Sequence, residues 1–336
     1  MDAMLDDFLT RSGLAAAGEP RCWTPLTGGV SSDIWRVDVA SDRTFCVKRA
    51  LPKLRVAAHW EAPVSRNAYE WAWMQFAARV LPGAVPQPLA HDEAAGLFAM
   101  SFLAPEQHPV WKQQLLAGRV EVATAAAVGA ALGALHHASA ERAADLAPAF
   151  DTAGNFFSLR LEPYLLATAR RHPALAPQLE ALVERTAAHR SALVHGDVSP
   201  KNILVGPHGP VLLDAECAWW GDPAFDLAFC LNHLLLKAVP QPDCTKALHQ
   251  SFQALTAAYF DRIRFEPRAE LEARASALLP ALLLARVDGK SPVEYVTQDA
   301  QRERIRACAI PAVRQAPAKL EALAQRWFAD CADMPA

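Results

Sequence analysis

The sequence has no C-x-x-C pair. Its seven cysteines (Cys22, Cys46, Cys217, Cys230, Cys244, Cys308, Cys331) are odd in number and widely scattered. That excludes a disulfide framework or a cysteine zinc site and points to reduced thiols in a cytoplasmic protein. An excess of charge is missing as well: 33 basic residues stand against 36 acidic ones, the formal net charge is −3, and no long like-charge block occurs. Neither nucleic acid nor an anionic membrane is therefore expected as a partner. The opening MDAMLDDFLTRSGL is acidic where a secretory signal is basic, so no export is expected. The longest weakly polar run, VATAAAVGAALGAL from Val122 to Leu135, has 14 residues, short of the ~20 that span a bilayer, and reads as a buried helix.

What is present suits a packed protein of two lobes. The chain has 336 residues, 52% of them apolar and 21% charged, which gives ample core and argues against disorder. Composition shifts near residue 105, from strands with one prominent helix to mostly helix. The expected division is 1–104 and 105–336, an α+β fold with a small β-rich N-terminal lobe and a larger helical C-terminal lobe. In DIWRVDV and TFCVKRA apolar residues alternate with polar ones, the period of two that marks strands, and ASDR supplies the turn between them. Lys48 projects from the second strand. Tyr69, Trp73, Phe76 and Val80 recur at helical spacing within 65–81, with Glu70 at the edge of that stripe. VPQPLAH and GLFAMSFLAP read as two further strands.

Beyond them, helices are expected at roughly 119–138, 158–171, 174–190, 225–238, 244–263, 268–286 and 315–331, with short strands only at ALVHG, ILVG and VLLDAE. Gly129 and Gly133 inside a helical run cost about 1 kcal/mol each by propensity, which points to close helix contact.

The chemistry concentrates in LVHGDVSPKNILV, residues 193–205, where apolar runs are interrupted by His195, Asp197, Ser199, Lys201 and Asn202. The pattern H-x-D-x-x-x-x-N is followed twelve residues later by Asp214, at the end of an apolar strand. Phosphoryl transfer needs a carboxylate to orient the acceptor hydroxyl, plus oxygen donors for a Mg²⁺ that bridges nucleotide phosphates. Asp197 fits the first role; Asn202 and Asp214 fit the second.

HGDVSPKNIL, LLDAE and GDPAFDLA together resemble the aminoglycoside phosphotransferase and choline kinase group, small-molecule kinases of the protein-kinase-like fold. The resemblance implies an ATP-dependent kinase with Mg²⁺ and a hydroxyl-bearing small molecule as acceptor. Gly196 stands where protein kinases usually have arginine. Asp226 matches the aspartate that starts a helix and steadies the catalytic loop. Gly28, Gly29, Ser31 and Ser32 would offer amides and hydroxyls to phosphates, although G-x-G-x-x-G is absent. Lys48 would reach the α and β phosphates and pair with Glu70. The segment FAMSFL would be the hinge between lobes, its backbone around Met100 and Phe102 meeting adenine.

CVKRALPKLRVAAHWEAP and WKQQLLAGRV are similar to segments of 5-methylthioribose kinases, and Asp214 with Glu216 matches their metal-binding D-x-E. The loop differs: this chain has SPKN where that subfamily has HTGS. A sugar-like acceptor is implied, with a homodimer compatible with the same resemblance.

Several residues keep two readings. Glu70 either pairs with Lys48 or lies on an ordinary helix surface. Trp219 and Trp220 either stack on an acceptor or pack in the core. Arg286, with Asp288 and Lys290, interrupts an apolar helical region and is a candidate to reach the acceptor. Lys201 either touches the γ-phosphate or is solvated. His195 reads as a packed structural residue, as do His136 and His137, and Cys217 as a small core residue. Rival functions are a nucleotide-binding pseudokinase acting as a regulatory module and a metal-dependent hydrolase using His195, Asp197, Asp214 and Glu216.

Overall fold

The computed structural model describes residues 3–26, 32–40, 42–53 and 63–332. Its N-terminal lobe is an antiparallel sheet of β1 (Arg21–Leu26), β2 (Ser32–Val39), β3 (Arg43–Ala50), β4 (Pro88–Asp92) and β5 (Leu97–Ser101), ordered β1-β2-β3-β5-β4. Alternation places Val37, Val39, Phe45, Val47, Leu97 and Ala99 on the outer face. The opening segment, read above only for its charge, forms a helix, Ala3–Arg11, whose Leu5, Phe8 and Leu9 cover that face. Because the sheet is covered there and faces the cleft on its other side, Cys46 and Lys48 are buried as well as Phe45 and Val47.

The helix expected at 65–81 runs Arg66–Val80. Residues 102–110 then carry the chain to a helical lobe, and Val110 makes an isolated bridge to Leu204. In that lobe the apolar run becomes a helix, Val122–Ala140, of 19 residues. It is longer than the run suggests, and by length and composition alone it could cross a membrane. In the fold it lies against the helix Thr245–Phe260. A Cβ on Gly129 would stand 2.2 Å from the Leu255 carbonyl oxygen, and one on Gly133 2.6 Å from that of Tyr259, so both glycines are required by close approach.

The helices Ala176–Ala188, Ala224–Lys237, Arg268–Asp288 and Leu320–Ala332 fall where expected within a few residues. The helix Asp299–Arg314 was not expected, because its buried side is made mostly of short side chains around Ile305, Cys308 and Val313. The stretch expected as an α-helix at 158–171 is π-helical over Phe157–Leu166. Two short hairpin-like pairs frame the site: β6 (Ala192–Val194) with β9 (Trp219–Gly221), and β7 (Ile203–Gly206) with β8 (Gly209–Leu212). All seven cysteines are free thiols.

Candidate active site

β3 lies between β2 and β5, with Lys48 opposite Ile34 and Phe98, so its side chain points away from the outer core and into the interlobe cleft. There Lys48 Nζ lies 2.6 Å from Glu70 Oε1 and 2.6 Å from Asp214 Oδ1. One lysine thus links its own lobe to the loop that follows β8. Burial disfavours the charged Lys48, but Asp214 and Glu70 outweigh it and raise its pKa. Burial also acts to raise Asp214, where Lys48 and then Lys201 prevail and hold the carboxyl well below its usual range. Glu70 has the smaller share of the lysine, and burial pushes it up to about 7 against the pull of Lys48. Asp214 has φ +67°, a left-handed backbone that costs a non-glycine residue about 1 kcal/mol or more.

Between β6 and β7 the chain turns through residues 195–202. Asp226, in the first turn of Ala224–Lys237, accepts the backbone N–H of His195 at Oδ2 (2.7 Å) and that of Gly196 at Oδ1 (2.8 Å). His136, buried, completes this anchor by reaching Asp226 Oδ2 at 3.2 Å and the Tyr259 hydroxyl at 2.9 Å. Gly196 has φ +79°, and a Cβ there would lie 2.7 Å from Cys217 Cβ, so the turn admits no side chain at this position.

His195 Nδ1 accepts the N–H of Asp197 at 3.1 Å, which leaves Nε2–H to donate to the Leu213 carbonyl at 3.1 Å. Burial lowers the pKa of this imidazole against the pull of Asp226 and Asp197. A neutral ring therefore spaces the loop from the strand end that carries Asp214.

Asp197 is held through one oxygen. Its Oδ2 accepts from Asn202 Nδ2 at 2.8 Å and pairs with Arg160 Nη2 at 2.9 Å and Lys201 Nζ at 3.1 Å. Among the described residues Oδ1 has no hydrogen bond. Arg160, which sequence reasoning missed, comes from the π-helical segment and also donates from Nε to the Gly196 carbonyl. The signal available was a lone arginine between Leu159 and Leu161 in a mostly apolar stretch.

Lys48, Glu70, Met100, Lys201, Asn202 and Asp214 are on the walls of a cleft of about 540 Å³. Ser32, at the start of β2, lines it too, while Gly28, Gly29 and Ser31 lie outside the described residues. Phe102 is not on these walls. Its ring lies beneath the Arg36 guanidinium at 4.7 Å, which leaves only its backbone for the hinge role expected of it.

Of the two readings of Trp219 and Trp220, the structure takes core packing. Pairing of β9 with β6 buries both, and Trp219 stacks on Phe156 at 4.4 Å, so neither indole is open to an acceptor. Glu216, expected beside Asp214 as a metal ligand, has Oε2 in a buried ion pair with Arg66 Nε at 2.9 Å, which sets it to joining the lobes. Cys217 is buried with its thiol pushed well up by burial, the inert form. Arg286 donates to the Tyr164 hydroxyl at 3.0 Å and to Ser291, away from Asp197.

For a divalent cation the fitting donors are Asn202 and Asp214. The Asn202 amide nitrogen is spent on Asp197, which turns Oδ1 outward, and Asp214 keeps Oδ2 beyond its pair with Lys48. No described hydrogen bond reaches either oxygen. One neutral and one anionic oxygen on the wall of a phosphate-sized cleft suit Mg²⁺.

A model of the phosphotransferase enzyme family matches residues 23–265. The chain is 26% identical over 233 residues to a methylthioribose kinase of Escherichia coli O45:K1 (strain S88 / ExPEC), covering 60% of this chain and 54% of that one. It is 27% identical over 225 residues to the methylthioribose kinase of Yersinia pseudotuberculosis serotype O:1b (strain IP 31758), covering 59% and 54%. The chain thus spans about half the length of these relatives.

In fold it is similar to a choline/ethanolamine kinase family protein of Mesorhizobium loti, with TM-score 0.55, 17% identity, and 98% of each chain covered. It is also similar to a macrolide 2′-phosphotransferase of Brachybacterium faecium, with TM-score 0.52, 19% identity, and coverage of 100% and 99%.

Proposed function

This chain belongs to the phosphotransferase enzyme family, and we propose that it is an ATP- and Mg²⁺-dependent kinase acting on a hydroxyl of a small, sugar-like metabolite. The observation that carries this reading is the division of the Asp197 carboxylate, with Oδ2 held by Asn202, Arg160 and Lys201 and Oδ1 left free. A carboxylate fixed through one oxygen presents the other in one direction, as a group that orients a hydroxyl and takes its proton must. The hydroxyl oxygen bonds to the γ-phosphorus, the bond to the β–γ bridging oxygen breaks, ADP departs, and the proton goes to Asp197 Oδ1. Lys48 holds the nucleotide phosphates. Asn202 and Asp214 would hold a Mg²⁺, which would supply charge neutralisation at the phosphates. Most of the rate comes from positioning and fixed charge.

The methylthioribose kinases among the relatives make methylthioribose the first acceptor to try. ADP formation measured over a panel of hydroxylated metabolites tests the reading, with Asp197→Ala as the control. The variant should bind nucleotide and lose phosphorylation, and full turnover by it sinks the assignment. Nucleotide binding without ADP from any acceptor would indicate a non-catalytic module. Inorganic phosphate without a phosphorylated product would indicate a hydrolase.

A further inference from the structure

Behind the catalytic loop lies a second cavity of about 40 Å³, walled by Pro200, Lys201, His233, Lys237, Arg286 and Tyr295, with Lys112 and Glu294 at its edge. Lys112, Lys201 and Glu294 also line the main cleft, so the two spaces adjoin. The volume exceeds the ~10–15 Å³ one water requires and suits a group of a few heavy atoms.

Its charges do not balance. Glu294 is paired with Lys112, and Lys201 with Asp197. Lys237 and Arg286 have no carboxylate partner among the described residues. Lys237 is 1% exposed, and the one contact described for its ammonium is the face of the Tyr295 ring at 3.7 Å. Arg286 Nε and the Tyr295 hydroxyl are both buried without a hydrogen-bond partner. Buried polar groups are nearly always satisfied, and an unpaired buried cation is among the most costly groups a fold can hold. Two orphaned donors, Arg286 Nε and the Tyr295 hydroxyl, stand on the walls of one cavity with Lys237, which has no carboxylate partner among the described residues, and together they call for an acceptor.

Burial, then Lys112 and Arg286 against Glu294, push Lys237 down to about 7. Burial and the four surrounding cations, Arg286 first, drive His233 well below its ordinary value. Burial is the first cause of both shifts, and the surrounding cations add to it.

We infer that this cavity holds an oxyanion, a carboxylate or a phosphate ester, carried by the acceptor whose hydroxyl meets Asp197. The inference rests on the kinase reading and narrows it, from a neutral sugar to a hydroxylated acid or sugar phosphate. Lys201 supplies the connection: it lines both spaces, and its Nζ lies 3.1 Å from Asp197 Oδ2. Lys237 and Arg286 bind the anion; they do not touch the reacting atoms.

Thermal unfolding of the full chain tests it with three probes, sodium glycerate, inorganic phosphate, and chloride at matched ionic strength. The wild-type Tm should rise by a few degrees with glycerate or phosphate beyond chloride. In Lys237→Met that rise should vanish, while the anion-free Tm equals or exceeds the wild type because an unpaired buried cation is gone.

Matched acceptors then separate the sources: glycerate against glycerol for a carboxylate, and a pentose phosphate against methylthioribose for a phosphate. The charged member should be preferred at least tenfold in kcat/KM. Lys237→Met should raise its KM about 10- to 100-fold with kcat changed little, and Lys237→Arg should recover most of the loss. The same Tm rise in both proteins, no rise in wild type with either anion, or equal use of a neutral partner overturns the inference. If no pair is turned over, the thermal comparison decides. A wild-type Tm that ATP with Mg²⁺ leaves unmoved counts against the kinase reading instead, and the anion response is read independently of it.

Discussion

Arg160 and Asp197 form a buried ion pair, Nη2 to Oδ2 at 2.9 Å, that reaches from a π-helical segment to the one carboxylate of the catalytic loop. The same guanidinium donates to the Gly196 carbonyl, so it fixes both the loop and the direction of the free Asp197 oxygen. π-Helical turns occur often at functional sites because the wider turn re-aims a side chain. Arg160→Gln is expected to lower kcat about 100-fold with KM for ATP little changed, the effect of misplacing a reacting group by about 1 Å. Arg160→Lys should recover part of it. Steady-state kinetics of the two variants check this positioning role, which a purely structural arginine would not show as a split between kcat and KM.

Lys48 serves Glu70 and Asp214 together, both at 2.6 Å. Removing the lysine leaves the buried Glu70 facing the partly buried Asp214. Lys48→Met is expected to destabilise the nucleotide-free protein by about 3–5 kcal/mol, as breaking a buried pair does, and Lys48→Met with Glu70→Leu should be more stable than the single variant. Urea denaturation of the three proteins measures this. A single variant as stable as wild type would show that the ion pairs do not contribute to the fold.

Asp226 accepts two loop N–H groups and contacts His136 while fully buried. Asp226→Leu strands those donors, at about 1–3 kcal/mol each. Asp226→Asn retains one acceptor and should fall between. Hydrogen exchange at the His195 and Gly196 amides is expected to rise in both variants, and turnover to fall in the same order.

Lys237 gives a pH dependence of definite sign. Its pKa falls from an ordinary 10.5 to about 7 in the fold. Between those values the unfolded chain binds a proton that the native protein does not, so the stability of the anion-free protein should rise from pH 7 towards pH 10. Arg286, Lys112, Lys201, His233, Tyr295 and Glu294 face the same space, and of these only Glu294 opposes the shift. Urea midpoints at pH 7, 8 and 9 should show the rise in wild type and a flatter line in Lys237→Met. Equal slopes would place the titration elsewhere.

Lys48, Asp197, Asn202 and Asp214 were legible in the sequence because each sits at the end or on one face of an apolar strand, where a polar residue is conspicuous. The structure brings Lys48, Asn202 and Asp214 to one cleft and holds Asp197 against its wall through Asn202. Arg160 was not legible, since a π-helix interrupted by Pro163 leaves no 3.6-residue signature to say which way an arginine points. For Trp219 and Trp220 the sequence left acceptor stacking and core packing open, because nearness to Glu216 along the chain says nothing about the side of β9 on which each indole packs. The helix Ala3–Arg11 was legible in principle from Leu5, Phe8 and Leu9 at helical spacing, but its acidic residues drew the reading towards charge. Arg286 stood out as a polar break; its orphaned Nε and the neighbouring Lys237 became meaningful only when tertiary packing set them around one space.

Because Lys48 already bridges Glu70 and Asp214, a phosphate arriving at this lysine replaces an anion instead of finding a vacant cation. Nucleotide affinity is then the difference between two pairings of similar strength. A ligand phosphate at Lys48 would therefore loosen the tether between Lys48 and Asp214 as it forms a pairing of its own. A mutation that weakens the resting tether, such as Asp214→Asn, should therefore tighten metal-free nucleotide even as it abolishes turnover.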